Sequence, residues 1–205
     1  MFRNTLHICL AVLMISLIGC PAYAQYREHP VPDSYLQYVP LAAGVGLGWV
    51  GVKARDPGWD RIMAAGMGFA SEVVIVNALK YTVREERPDG SARNSFPSGH
   101  SATAFLGAEI VRHEYGWGWG AGAYAVAGSV AVLRVCHHCH YWWDTVAGAG
   151  CGILCANIGY RLLTPAHKVL DRIGAGRRND AAELSLIPMY DPLSGAVGPA
   201  LALRF

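Results

Sequence analysis

The chain has 205 residues, of which 53% are hydrophobic and only 16% charged, and its formal net charge is +2. A mean hydropathy of +0.24 is too apolar for an ordinary soluble domain and suits a membrane. So small a charge, with no long basic run, argues against a nucleic-acid partner, while the length suits one domain with a sizeable core.

The first residues, "MFRNTLHICLAVLMISLIGCPAYAQ", begin with a short basic start and an apolar run from Ile8 to Ile18. A Gly19/Pro21 break and Ala22-Tyr23-Ala24 follow, which predicts a secretory signal peptide over 1–24 with cleavage after Ala24. "LIGC" also has the form of a bacterial lipobox, which would leave a lipidated Cys20 instead. The apolar run falls short of the ~20 residues that a membrane span needs. The mature chain is therefore expected to start outside the cytoplasm, with a membrane domain over 25–165 and a basic linker and tail over 166–205.

Five apolar segments come next: Leu36–Val52, Ile62–Lys80, Ser101–Val111, Trp117–Val135 and Thr145–Leu163. Small residues recur in them, as in "AAGMGFA" and "AGAGCGILCA", and let helix backbones approach closely in lipid. The expected fold class is all-α, a polytopic membrane helical bundle of about five core helices with a short strand-like C-terminal tail. "KARDPGWDR" and "HKVLDRIGAGRR" concentrate basic residues in connections that fall on one side if the helices alternate. The positive-inside rule makes that side cytoplasmic. Residues 81–99 and the turn near 136–143 then face outward. In the tail, "ELSLIPM" and "PALALRF" alternate around a Pro/Gly turn, as two short strands would.

The chemistry-bearing residues fall in the outward connections. Lys80 and Arg87 are two helical turns apart and would project from one helix face; Pro88 ends the segment. "FPSGHSATAF" opens a helix with a proline, a capping serine and a glycine that admits a backbone N–H to a ligand. His100 adds an acid–base group near neutral pH. This describes the floor of an anion site. In "LRVCHHCHYWWDT", His140 and Asp144 are four apart, so the carboxylate can hold one ring nitrogen and leave the other basic. Arg134 brings a fork of donors for phosphate oxygens, given a chain turn between it and His140.

Lys80-x6-Arg87-Pro88, Pro97-Ser98-Gly99-His100 and Arg134-x5-His140-x3-Asp144 together resemble the three-part signature of the type 2 phosphatidic acid phosphatase and vanadium haloperoxidase superfamily. The resemblance covers roughly residues 60–165, and Leu133 replaces the serine that usually precedes the arginine. It implies that His140 attacks phosphorus to form a phosphohistidine, with Asp144 orienting it and His100 serving as acid and then base. It implies too that Lys80, Arg87, Arg134, the Ser98 hydroxyl and the Gly99 N–H hold the phosphoryl oxygens. Three cations would stand where other phosphotransferases use a metal ion, so neither metal nor other cofactor is expected.

The function so implied is hydrolysis of lipid-linked phosphate monoesters or pyrophosphates at a bacterial inner membrane, with the active site facing the periplasm. Lipid A, undecaprenyl pyrophosphate and glycerophospholipid phosphates are the substrates considered. A vanadate-dependent haloperoxidase and a non-catalytic phospholipid-binding membrane protein are the alternatives.

Cys136-x2-Cys139 beside His137, His138 and His140 offers zinc-type ligands, but zinc would compete for His140, and no second distant ligand pair exists. A Cys136–Cys139 disulfide and free thiols are both compatible with the spacing. Asn77 is read as a partner in helix–helix hydrogen bonds, Glu72, two turns or more from Lys80, as not catalytic, and "EYGWGWG" and "YWW" as interfacial aromatic belts. Tyr141, Trp142 and Trp143 could also line an access route for lipid.

Overall fold

A computed structural model describes residues 33–172 together with the backbone of 183–190 and 197–204. The leader expected over 1–24, with its lipobox alternative, lies outside the described residues. The helices are α1 (Asp33–Leu36), α2 (Val39–Gly46), α3 (Gly58–Val83), α4 (Gly99–Tyr115), α5 (Trp117–Cys136) and α6 (Trp142–Arg172). The tail forms an antiparallel pair, β1 (Glu183–Tyr190) with β2 (Val197–Arg204), registered from Glu183 opposite Arg204 to Tyr190 opposite Val197. The all-α bundle and the two tail strands are both as expected.

Three helices, α3, α5 and α6, are long and apolar enough to cross a membrane. The 20 residues of α5 alone reach about 30 Å at 1.5 Å per residue, the thickness of a bilayer core. Their outward side chains are apolar, as at Val74, Val146 and Leu154. Trp49, Trp59, Trp117 and Trp119 are exposed toward one end of the bundle, and Tyr81, Trp142 and Trp143 toward the other.

Helix α4 is the shortest of the four main helices and the most enclosed. Ala102, Ala104, Leu106, Ala108 and Ile110 are all fully buried. Leu106 and Ile110 pack with Ala65 of α3 and Cys155 and Ala156 of α6. Ala104 and Ala108 pack with Ala127 and Val130 of α5. Its polar residues are paired within the bundle: Thr103 Oγ1 donates to Glu72 Oε1 at 3.0 Å, and Glu109 accepts from Arg112, Tyr124 and Asn157. Buried polar groups persist when paired in this way. Glu72 thus makes an interhelical hydrogen bond of the kind expected of Asn77. Asn77 instead donates to the Val73 carbonyl of its own helix at 2.7 Å, because it faces outward.

The segment Leu36–Val52 yields only the eight-residue α2, and the reason is one hydroxyl. Tyr115 donates to the Gly44 carbonyl at 3.0 Å and accepts from the Gly48 N–H at 2.9 Å. Those two groups would otherwise bond to each other in a continuing helix, so the tyrosine stands inside the ladder and ends it.

Close approach of α6 to α4 decides where the outward connections meet. A Cβ on Gly148 would collide with the Ser98 carbonyl oxygen, and one on Gly152 with the Ala102 carbonyl oxygen. Only glycine allows the backbones this near. At the opposite end, the N–H of Arg55 donates to the Glu114 carbonyl and that of Asp56 to the Glu114 carboxylate, while His167 lies 3.2 Å from Asp60. Among the described residues, the basic connection over 53–61 and the C-terminal part of α6 are therefore gathered at one end, and the C-termini of α3 and α5 meet the N-termini of α4 and α6 at the other.

Candidate functional site

The eight sequence-selected residues all belong to this second end. Lys80 lies in the last turn of α3, Arg87 in the loop beyond it, Ser98 at the N-cap of α4, and Gly99 and His100 in its first turn. Arg134 closes α5, His140 stands in the connecting turn, and Asp144 lies in the first turn of α6.

The turn required between Arg134 and His140 is built on one carbonyl. Arg134 O accepts from the Cys139 N–H at 3.1 Å and from the His140 N–H at 3.3 Å. His138 takes a left-handed conformation, φ 54°, to close it. The shared helix face expected for Lys80 and Arg87 is not what joins them. Helix α3 ends at Val83 with Arg84 left-handed at φ 49°. The loop then folds back through the Arg87 N–H to Ala92 O and the Ser95 N–H to Glu85 O.

What unites the two cations is Asn94, which sequence reasoning missed. Lys80 Nζ donates to its backbone carbonyl at 2.6 Å, and Arg87 Nε to its side-chain Oδ1 at 2.9 Å. Ser95 was missed as well. Its hydroxyl donates to Asp144 Oδ2 at 2.5 Å and lies 3.4 Å from His140 Nδ1. Asp144 Oδ2 also accepts from the Tyr141 N–H, 3.0 Å, the geometry of an acidic residue reaching back over a helix start. The Ser98 N–H donates to the Asp144 carbonyl at 3.0 Å, tying the start of α4 to that of α6. "RNSFPSGH" contains both missed residues, but nothing in their spacing marks them.

His140 is 2% exposed and Asp144 0%. Burial, then the positive charges of Arg134, Lys80 and Arg87, push the His140 pKa down to about 4 against the opposing pull of Asp144. At neutral pH the ring is uncharged, so its 3.7 Å approach to Asp144 Oδ2 is not an ion pair. A neutral imidazole, three cations and a carboxylate thus share one end of the bundle, an arrangement suited to holding an anion against a nucleophilic nitrogen.

Ser98 Oγ caps α4, accepting from the Ser101 N–H at 3.5 Å and the Ser101 hydroxyl at 3.3 Å. At Gly99, an added Cβ would meet nothing nearer than Val76 Cγ1 at 3.9 Å. Packing does not require glycine there, in contrast to Gly148.

Cys139 is a free thiol, which removes the Cys136–Cys139 disulfide from consideration. Among the described residues, the one grouping with metal-ligand chemistry is Asp56, His113 and Glu114, at the opposite end of the bundle. Arg55 Nη1 already faces His113 Nε2 at 3.4 Å, and Tyr160 donates to Glu114 Oε1 at 2.6 Å.

Residues 61–168 match the model of the PAP2 superfamily, and the chain belongs to that family. It is 34% identical over 172 residues to the lipid A 1-phosphatase of Porphyromonas gingivalis. That match takes in 77% of this chain but 38% of the relative, so the chain spans about two fifths of its length. Among solved structures it resembles Aquifex aeolicus LpxE, with a TM-score of 0.51, 22% identity, and coverage of 67% of this chain and 90% of that one. At that identity the likeness concerns the fold.

Proposed function

We propose that the chain is a membrane phosphatase that removes phosphate from lipid-linked monoesters or pyrophosphates through a phosphohistidine at His140. The observation that carries this reading is the buried, neutral His140 among the charges of Arg134, Lys80 and Arg87. Its Nδ1 is turned toward Ser95 and Asp144, which leaves Nε2 as the attacking atom. Nε2 bonds to phosphorus as the P–O bond to the lipid breaks, and His100 protonates the departing oxygen. Water then attacks phosphorus, gives a proton to His100, and releases inorganic phosphate and neutral His140. Lys80, Arg87 and Arg134, with the Ser98 hydroxyl and the Gly99 N–H, carry the charge on the equatorial oxygens. No step calls for a metal ion.

Lipid A is the substrate favoured within this class, because the curated relative acts as a lipid A 1-phosphatase by its name. The site faces the periplasm from the inner membrane, supported by the basic connection over 53–61 at the opposite end of the bundle and the basic residues that follow α6 in sequence. The test is phosphate release by detergent-solubilised protein with EDTA present, from lipid A, undecaprenyl pyrophosphate, phosphatidylglycerol phosphate, phosphatidic acid and a soluble aryl phosphate. Release that vanishes in His140→Ala supports the reading, and the preferred lipid names the substrate. Release that survives in His140→Ala, or none from any substrate, overturns it.

A further inference from the structure

We infer that Ser95 is a positioning residue that links the nucleophilic histidine to its carboxylate; the inference rests on the reading of His140 as nucleophile. The direct contact between the two is too long to be a hydrogen bond, 3.7 Å from His140 Nδ1 to Asp144 Oδ2. The Ser95 hydroxyl fills the gap, 2.5 Å from Asp144 Oδ2 and 3.4 Å from His140 Nδ1. A hydroxyl has one hydrogen to give and lone pairs to receive. Since the carboxylate can only accept, the Ser95 hydrogen goes to Asp144, and its oxygen receives the Nδ1–H of His140. This order sets the tautomer, with the proton on Nδ1 and the lone pair on Nε2.

Ser95 is fully buried and built into the site from both sides. Its own N–H donates to the Glu85 carbonyl at 2.9 Å, and Trp143 Nε1 of α6 donates to the Glu85 carboxylate at 3.0 Å. The hydroxyl is therefore held by the loop after α3 on one side and by the start of α6 on the other. When Nε2 bonds to phosphorus the ring becomes cationic. No proton leaves Nδ1; the charge is felt by Asp144 through the Ser95 hydroxyl. Removing that hydroxyl should slow formation of the phosphohistidine without weakening the grip of the cations on phosphate.

The test is steady-state phosphate release by solubilised full-length wild type, Ser95→Ala, Asp144→Asn and the double variant, with His140→Ala alongside. Ser95→Ala deletes a single atom, and Ser95→Thr, which keeps the hydroxyl, checks that the loss belongs to that group. The expected result is a fall in kcat of about 10- to 100-fold in Ser95→Ala with KM within about twofold. The further loss on adding Ser95→Ala to Asp144→Asn should be less than about threefold, because the serine acts through the aspartate. Activity of Ser95→Ala within about twofold of wild type, a loss confined to KM, or losses that multiply in the double variant would overturn the positioning role. Absence of wild-type turnover, or turnover surviving in His140→Ala, would instead bring down the phosphatase reading beneath it.

Discussion

Lys80 Nζ is bound to the backbone carbonyl of Asn94 at 2.6 Å, while the side chain of the same asparagine holds Arg87 Nε at 2.9 Å. One residue thus ties together two cations from different elements. Asn94→Ala leaves the carbonyl for Lys80 and frees the Arg87 guanidinium. A lost hydrogen bond to an exposed charged group corresponds to about 1 kcal/mol, so KM should rise about 3- to 10-fold while kcat changes less. Steady-state kinetics on a lipid phosphate would measure it, and an unchanged KM would detach Asn94 from substrate binding.

The charge arrangement has a pH consequence. Cations oppose protonation of a neighbouring imidazole, and with burial they bring His140 to about 4. In the free enzyme the nucleophile should stay competent well below the ordinary histidine range. The acid limb of kcat/KM should therefore not show a loss near 6.5 from His140. Arg87→Ala removes one of the opposing charges and should move the His140 titration upward. The same sign governs stability: between the folded value of about 4 and the ordinary 6.5, the unfolded chain binds more protons. His140 thus makes the fold less stable as pH falls through that window. NMR titration of histidine-labelled protein would detect the shift.

Two glycines separate packing from binding. Gly148→Ala sets a methyl against the Ser98 carbonyl oxygen, where backbone cannot yield, and should destabilise by about 1–3 kcal/mol while displacing the floor of the site. Gly99→Ala has 3.9 Å of clearance to Val76 and should leave thermal stability within about 1 kcal/mol. It should nonetheless raise the inhibition constant of inorganic phosphate about 10-fold, by keeping the phosphate from the backbone N–H. Thermal unfolding and inhibition measured on the same two variants would test the contrast.

Trp142 is 64% exposed at the start of α6, two residues from His140, and Tyr81 is 75% exposed at the end of α3. Aromatic side chains of this kind sit at the membrane–water interface. Trp142→Ala should raise KM for a lipid phosphate and leave KM for a soluble aryl phosphate unchanged. An equal effect on both would remove it from lipid recognition.

Lys80, Arg87, Arg134, His140 and Asp144 were legible as candidates, because each is a charged or titratable group in or just beyond a helix end, where composition stands out against apolar surroundings. Motif spacing also showed that Arg134 and His140 need a turn between them, and the paired N–H groups on the Arg134 carbonyl are that turn. Asn94 and Ser95 were not legible. The Ser95 contacts bridge 45 and 49 residues and depend on α6 pressing against Ser98 through Gly148. The shortening of α2 was hidden for the same reason, since the hydroxyl that ends it comes from Tyr115, 71 residues beyond Gly44. Lys80 and Arg87 do not share the helix face expected of them, since helix α3 stops before Arg87, and both bond to Asn94 instead.

The most direct measurement is detection of the phosphoryl-enzyme itself. Solubilised protein turning over a lipid phosphate would be quenched under alkaline denaturing conditions, where phosphohistidine survives, and its peptides examined by mass spectrometry. The account predicts a phosphoryl group on the peptide containing His140 in wild type and none in His140→Ala. Turnover in wild type with no modified peptide, alongside turnover retained in His140→Ala, would contradict it.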